Sequence, residues 1–294
     1  MEHLYILGRI LANPLTNVMQ KKLTNRHIGT FFIVLAAYTL LAALGAMALL
    51  FIPVAGLGLG FWSSILLASS IDATGNVFSV KSLREIELSV FGPLNAYKPV
   101  VATATAALLL QEFPSWVGLV GILIVIAGSV LLNYESQLSW KETSVKKMFR
   151  SRGFWYRLSA ILFYSISVVY LKESIMYSSP MITLIFWSLL GWIFLVLLAF
   201  LLGLINRFNF RKNYHLLKGE KRAYLGMSFF FFVTQLFTLL VFEKKLLGYS
   251  LAIFQLSALL NIFLGHRIFR EKNIRFKLIG TLVMVGGVLL IMTQ

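Results

Sequence analysis

The chain has 294 residues, of which 59% are hydrophobic and 13% charged, and its mean hydropathy is +0.82; soluble domains carry about 25% charged residues, so water is excluded as the main solvent and the class is membrane-embedded. The net charge of +16 would suggest nucleic acid in a soluble protein, but these charges fall between apolar segments. There they read as loop anchors and contacts to the lipid bilayer, with no nucleic-acid partner. Cysteine is absent, which excludes disulfides and thiolate metal sites.

A helix needs about 20 apolar residues to cross the hydrocarbon core, and scanning for that length predicts up to ten spans. The first, at roughly residues 3–20, is the weakest: "HLYILGRILANPLTNVMQ" carries Arg9, Asn13 and Pro14 where an ordinary signal peptide would be uninterrupted. Spans at about 30–53 and 60–80 follow, then one at 88–110 containing "FGPLNAYKPVVATATAALLLQE", with Lys98 next to Pro99. The fifth lies at about 115–133. The basic stretch "NYESQLSWKETSVKKMFRSRG" (133–153) then divides the chain near its middle. The sixth and seventh spans lie at about 154–175 and 180–205, and a second polar connection, "NRFNFRKNYHLLKGEKR" (206–222), leads to spans at about 223–243, 247–269 and 276–292. The fold class is therefore all-α: a polytopic membrane bundle of about ten helices without a soluble domain.

Shifting the chain by 159 residues aligns "LLLQEFPSWVGLVGILIVIAGSVLL" (108–132) with "RIFREKNIRFKLIGTLVMVGGVLLI" (267–291), so that Glu112 meets Glu271, Gly121 meets Gly280 and Gly128 meets Gly287. The expected organisation is a first five-helix repeat at 1–137, a basic connecting loop at 138–153 and a second five-helix repeat at 154–294. Five helices per half start the second half on the opposite side of the membrane, so the repeats are inverted. Inverted repeats are typical of secondary transporters, with the substrate near the midplane between the halves.

With these features the sequence resembles the drug/metabolite transporter superfamily in its ten-helix EamA-like form. The resemblance is strongest where each half ends: a proline or small residue within the fourth helix (Pro99; Ala258 in the second half), then Glu, a short polar turn and a Gly-spaced apolar helix. "LANPLTNVMQKKL" also resembles the opening helix of some members. The resemblance implies a fold and a transport role in a bacterial-type plasma membrane. Members move amino acids, other metabolites or drugs, and no fixed catalytic set carries over.

On orientation the residues and the resemblance disagree. The odd-numbered loops carry 21 Lys and Arg, against Lys172, Lys244 and Lys245 on the even ones. The positive-inside rule puts the odd loops in the cytoplasm and both termini outside, whereas the resemblance implies both termini inside. The charge asymmetry is the stronger argument. A first segment that does not fully cross would leave the N-terminus cytoplasmic.

Charges at the bilayer centre cost several kcal/mol unless they face a cavity or a partner. Three are expected there: Arg9, Asp72 and Lys98. Helical spacing extends each into a polar stripe: Arg9, Asn13 and Asn17; Ser69, Asp72 and Asn76; Asn95 and Lys98. Three stripes in one half predict a wet interior. Pro99 removes a backbone hydrogen bond to the carbonyl of Asn95 and loosens the helix beside Lys98. Two cations against one anion favour an anionic or zwitterionic, amino-acid-like metabolite, and Asp72 is a candidate proton carrier. The competing reading is that Asp72 pairs with Lys98 or Arg9 only to tie helices together.

In the second half Tyr164, Ser167, Tyr170, Trp187, Gln235, Gln255, Ser257 and Asn261 are polar or aromatic yet uncharged. Together they predict an aromatic and amide wall for the organic part of a ligand. The glycines of the fifth and tenth helices (Gly118, Gly121 and Gly128; Gly280, Gly286 and Gly287) read as scaffold or dimer contacts, and a homodimer is a possible partner state. Glu112 and Glu271 read as caps near helix N-termini.

An enzyme is not expected. Asp72 is the only aspartate, the four histidines (His3, His27, His215 and His266) show no ligand spacing, and no phosphate-binding loop is present. No cofactor or metal is expected either. The remaining alternatives are a membrane scaffold or receptor that does not transport, and a facilitative channel.

Overall fold

A computed structural model describes residues 2–54, 56–98, 100–101, 115–132, 149–201, 210–244, 250 and 253–292. Pro99, Glu112 and the 133–148 part of the central loop lie outside the described residues, so the expectations placed on them are not addressed. Among the described residues every regular element is a helix.

The first segment is a full helix, α1 (Glu2–Asn25), and it runs through Pro14. Its 24 residues extend about 36 Å at 1.5 Å per residue, enough to cross. Next come α2 (Thr30–Ala48) and α3 (Leu59–Glu85). The fourth span is interrupted upstream of Pro99. A single turn, α4 (Leu88–Phe91), gives way at Gly92 to a 3-10 turn (Pro93–Ala96) before helical backbone resumes at Tyr97. Pro93 has no N–H to donate to the turn before it, so the ladder breaks there.

Beyond α5 (Trp116–Leu132), the second half opens with α6 (Arg152–Tyr177), whose N-cap Ser151 accepts from Phe154 N at 3.4 Å. Helix α7 (Pro180–Leu201) starts on a proline, which fits a first-turn position where no N–H is needed. The 206–222 connection is not all loop: Phe210–Gly219 form an amphipathic helix, α8. It docks through Asn213, whose Oδ1 accepts from Gly29 N at 2.7 Å. Helix α9 (Lys221–Lys244) follows. The ninth span is interrupted by a turn at Gln255–Leu256 before α10 (Ser257–Phe269), and α11 (Ile274–Met292) ends the chain's described part.

By length and composition α2, α6, α7 and α9 qualify outright as membrane spans. Helices α1 and α3 are long enough but too polar to qualify, because they carry the Arg9 and Asp72 stripes. The main packing pairs are α3 with α6, α5 with α11, α1 with α9, α2 with α7, α3 with α7, α1 with α10, and α4 with α10. An apolar core built on Ile33, Phe61, Ile65, Leu195 and Phe242 fills the space between α2, α3, α7 and α9.

Glycines set the α5–α11 contact. A Cβ on Gly287 would sit 2.7 Å from Gly121 O, and one on Gly128 would sit 2.8 Å from Gly280 O. The glycines of the two helices therefore meet within one chain, backbone against backbone, as the scaffold reading expects.

Glu271 does cap a helix, though not the one that follows it. Its carboxylate accepts from Leu88 N at 2.7 Å and Ser89 N at 2.9 Å, so it closes the N-terminus of α4 from the far half of the chain. Lys277 pairs with Glu87 and donates to Ser89 Oγ at 2.8 Å. Lys21 donates to the carbonyls of Leu83 and Ile86, each at 2.6 Å, closing the C-terminal end of α3.

Candidate functional site

Helical spacing brings the expected stripes onto one cavity of about 100 Å³. Helix α1 contributes Arg9, Asn13, Thr16, Asn17 and Gln20; α3 contributes Asp72, Asn76 and Ser79; the interrupted fourth span gives Asn95 and Lys98; α6 gives Arg157, Tyr164, Val168 and Leu171; α9 gives Phe231, Thr234, Gln235 and Thr238.

Asp72 is buried, at 7% exposure, and one of its oxygens gathers three neutral donors. Oδ2 accepts from the Tyr38 hydroxyl at 3.2 Å, Trp187 Nε1 at 3.1 Å and Asn76 Nδ2 at 2.9 Å. Gly191 makes this possible: the Tyr38 ring lies where a Cβ at 191 would be. Among the described residues Oδ1 accepts no hydrogen bond, and Asp72 lines the cavity. Among the same residues Asp72 forms no direct ion pair, although Lys98 is near enough for the two charges to act on each other. A carboxylate held by dipoles keeps its charge available to a ligand.

Lys98 likewise has no hydrogen-bond partner among the described residues. Its Nζ stands over the Tyr164 ring, 4.9 Å from the centroid, and the Tyr164 hydroxyl in turn donates to Asn76 Oδ1 at 3.1 Å. Arg9 stacks on Phe254 at 4.0 Å and reaches Ser257 Oγ only at 3.5 Å, while its Nε has no partner.

Arg157 is the functional candidate that sequence reasoning missed. It is 2% exposed, donates from Nη2 to Asn95 Oδ1 at 2.7 Å and from Nη1 to Ser79 Oγ at 3.3 Å, and stacks on Phe91 at 3.6 Å. Its Nε is unpartnered. The second half is thus not uncharged at the site, as the sequence suggested. With Arg9, Lys98 and Arg157 facing one carboxylate, the cavity holds net +2 when all four are ionised.

Four of the expected site residues lie behind the lining. Trp187, fully buried, braces Asp72. Gln255 Nε2 donates to Asn95 O at 3.4 Å, and Ser257 accepts from Arg9. Tyr170 packs on the apolar core. Tyr38 is a further residue the sequence did not single out. Polar atoms in the lining remain unpaired: besides the two arginine Nε atoms, Asn13 Oδ1 and Gln235 Nε2 have no partner. Buried polar groups are normally satisfied, and these four atoms of the lining are not.

Residues 2–134 match the sequence model of the EamA-like transporter family. Over those residues, a little under half of its length, the chain is similar to the EamA-like transporter family. That family is part of the drug/metabolite transporter superfamily, whose members are membrane transporters and not enzymes. A solved structure described only as "Crystal structure of protein" is similar at 14% identity, with a TM-score of 0.53, covering 96% of this chain and 95% of that one. At that identity the likeness shows the fold alone, and it extends over both halves of the chain. No curated protein matches it.

Proposed function

We propose that the protein is a multi-pass secondary transporter of the plasma membrane that moves a small anionic or zwitterionic, amino-acid-like metabolite by alternating access. One observation carries the reading: three cations from both halves converge on a single cavity with one dipole-held carboxylate, and among the described residues Lys98 Nζ and the Nε atoms of Arg9 and Arg157 have no hydrogen-bond partner. Burying cations without partners costs several kcal/mol each. A ligand carboxylate or phosphate offsets that cost, because guanidinium and ammonium donors match its oxygens. Asp72 Oδ1 suits either the ligand's ammonium group or a transported proton.

The packing supports an inverted-repeat mechanism. Exchanging first-half and second-half helices in order turns the α1–α9 pair into the α6–α3 pair and leaves the α2–α7, α4–α10 and α5–α11 pairs unchanged. The two interrupted helices also fall in register: the 159-residue shift carries Ala96 and Tyr97, where helix resumes, onto Gln255 and Leu256, the turn before α10. Interrupted helices at corresponding positions are the usual frame of a midplane site. The charge bias of the loops puts the Lys21, Glu271 and Lys277 end in the cytoplasm.

The test is a panel of amino acids, dicarboxylates and phosphorylated metabolites scored by thermal stabilisation of purified wild type and Lys98→Ala, followed by counterflow in proteoliposomes. A carboxylate or phosphate compound should stabilise wild type alone and exchange across the membrane. The reading fails if only uncharged or cationic compounds bind. It fails in favour of a scaffold if nothing exchanges and substitution changes abundance alone.

A further inference from the structure

A second cleft, of about 730 Å³, lies where α10 turns into α11, away from the central cavity. Its rim carries His266, Arg267, Arg270, Lys272 and Arg275. Among the described residues none of the three arginine side chains, nor that of Lys272, has a hydrogen bond or ion pair. His266 is used, its Nδ1 lying 3.0 Å from Glu271 O. The cleft's one acid, Glu271, is 7% exposed and committed to the Leu88 and Ser89 amides, so it does not neutralise the rim. Arg270 and Asn273 take left-handed backbone at φ 55° and 59°, which folds the turn tightly enough to gather four cations within nine residues.

The cleft is apolar on its other side. Phe263, 61% exposed, is three to four residues before His266 and Arg267 on α10. At 1.5 Å per residue it stands about 5 to 6 Å further towards the hydrocarbon. Phe276 and Ile274 complete that wall. Helix α11 begins at Ile274, so the amides of its first turn, which favour anions, open on the same space.

From these features we propose that the α10–α11 turn is a binding site for the phosphate headgroup of an anionic phospholipid, with an acyl chain along Phe263. A free phosphate would need the cations but has no use for the apolar wall, and a zwitterionic lipid would gain little from four unneutralised charges. Juxtamembrane basic groups attract anionic lipid at about fivefold in affinity per Lys or Arg. Removing three should therefore weaken binding on the order of a hundredfold.

The experiment measures thermal stability and native mass spectra of the full chain with phosphatidylglycerol, with phosphatidylcholine, and with inorganic phosphate. Wild type is set beside Arg267→Gln/Arg270→Gln/Arg275→Gln, the matching Arg→Lys triple, and a control that removes Lys218, Lys221 and Arg222 from α8 and the start of α9. Phosphatidylglycerol should raise the wild-type melting temperature and remain attached, with the effect lost in the glutamine triple and kept in the lysine triple and the control. Equal responses to both lipids overturn the proposal. So does a glutamine triple that binds like wild type, or a loss just as large in the control, which would mean bulk charge and no site. Protection by inorganic phosphate alone replaces the lipid with a soluble anion and also refutes it.

Discussion

Replacing Lys98 by methionine removes the charge while keeping an unbranched chain of similar length. In the structure Lys98 donates no hydrogen bond among the described residues, and its one specific contact is the Tyr164 ring at 4.9 Å. Losing a cation–π contact costs about 0.5 to 2 kcal/mol. Removing an unpaired, partly buried cation returns a desolvation penalty of at least that size. The folded protein should therefore be as stable as wild type within about 1 kcal/mol, or more stable. Transport should move the other way. If Lys98 meets a ligand carboxylate, one charge-assisted hydrogen bond of ~1.5–3 kcal/mol is lost, which is roughly a tenfold to hundredfold loss of apparent affinity. Counterflow in proteoliposomes gives the affinity, and thermal unfolding of the same preparation gives the stability. A variant that transports with unchanged affinity, or one that loses several kcal/mol of stability, would show that Lys98 is a structural cation.

Three further outcomes follow from the geometry. Asp72→Asn keeps the site's shape but puts an amide where Tyr38, Trp187 and Asn76 converge; transport should be abolished with folded protein still in the membrane, as membrane abundance and uptake measured together will show. Gly287→Ala puts a methyl 2.7 Å from Gly121 O and 2.9 Å from Val125 N, backbone atoms that cannot swing aside. It should cost about 1–3 kcal/mol, whereas Gly286→Ala, which meets nothing within 4 Å, should melt with wild type. Glu271→Gln leaves one of the Leu88 and Ser89 amides facing an N–H₂ group. It should cost about 1–3 kcal/mol and speed hydrogen exchange at residues 88 to 91 more than in α7.

The three first-half stripes were legible because a polar residue in an apolar run can be recognised without knowing its neighbours, and helical spacing supplies its companions. Arg157 escaped for a positional reason. It lies close to the start of α6, inside "SRGFWYRL", where a cation reads as a membrane-surface anchor. A signal was present nonetheless: Arg157, Tyr164 and Leu171 are seven residues apart, and all three line the cavity. Tyr38 had no such signal, since a single tyrosine in an apolar helix usually marks an interface; only the approach of α2 to Gly191 and Asp72 reveals its hydroxyl as a ligand of the carboxylate. The sequence places a loosened turn at Pro99, which lies outside the described residues; upstream of it Gly92 and Pro93 break the ladder. Trp187, Gln255 and Ser257 were chosen by residue type, which cannot tell a side chain that faces a cavity from one that supports its wall.

At Gly121, Gly128, Gly280 and Gly287 the contact between α5 and α11 brings main chain to main chain, and Ile122, Val125, Met284 and Val288 fill the space between. Main chain at those points has no rotamers to rearrange, so this seam gives way less readily than one held by side chains alone. If the protein works by moving its halves against one another, as proposed above, these two helices would stay touching and the halves would turn about them as a door turns on its post.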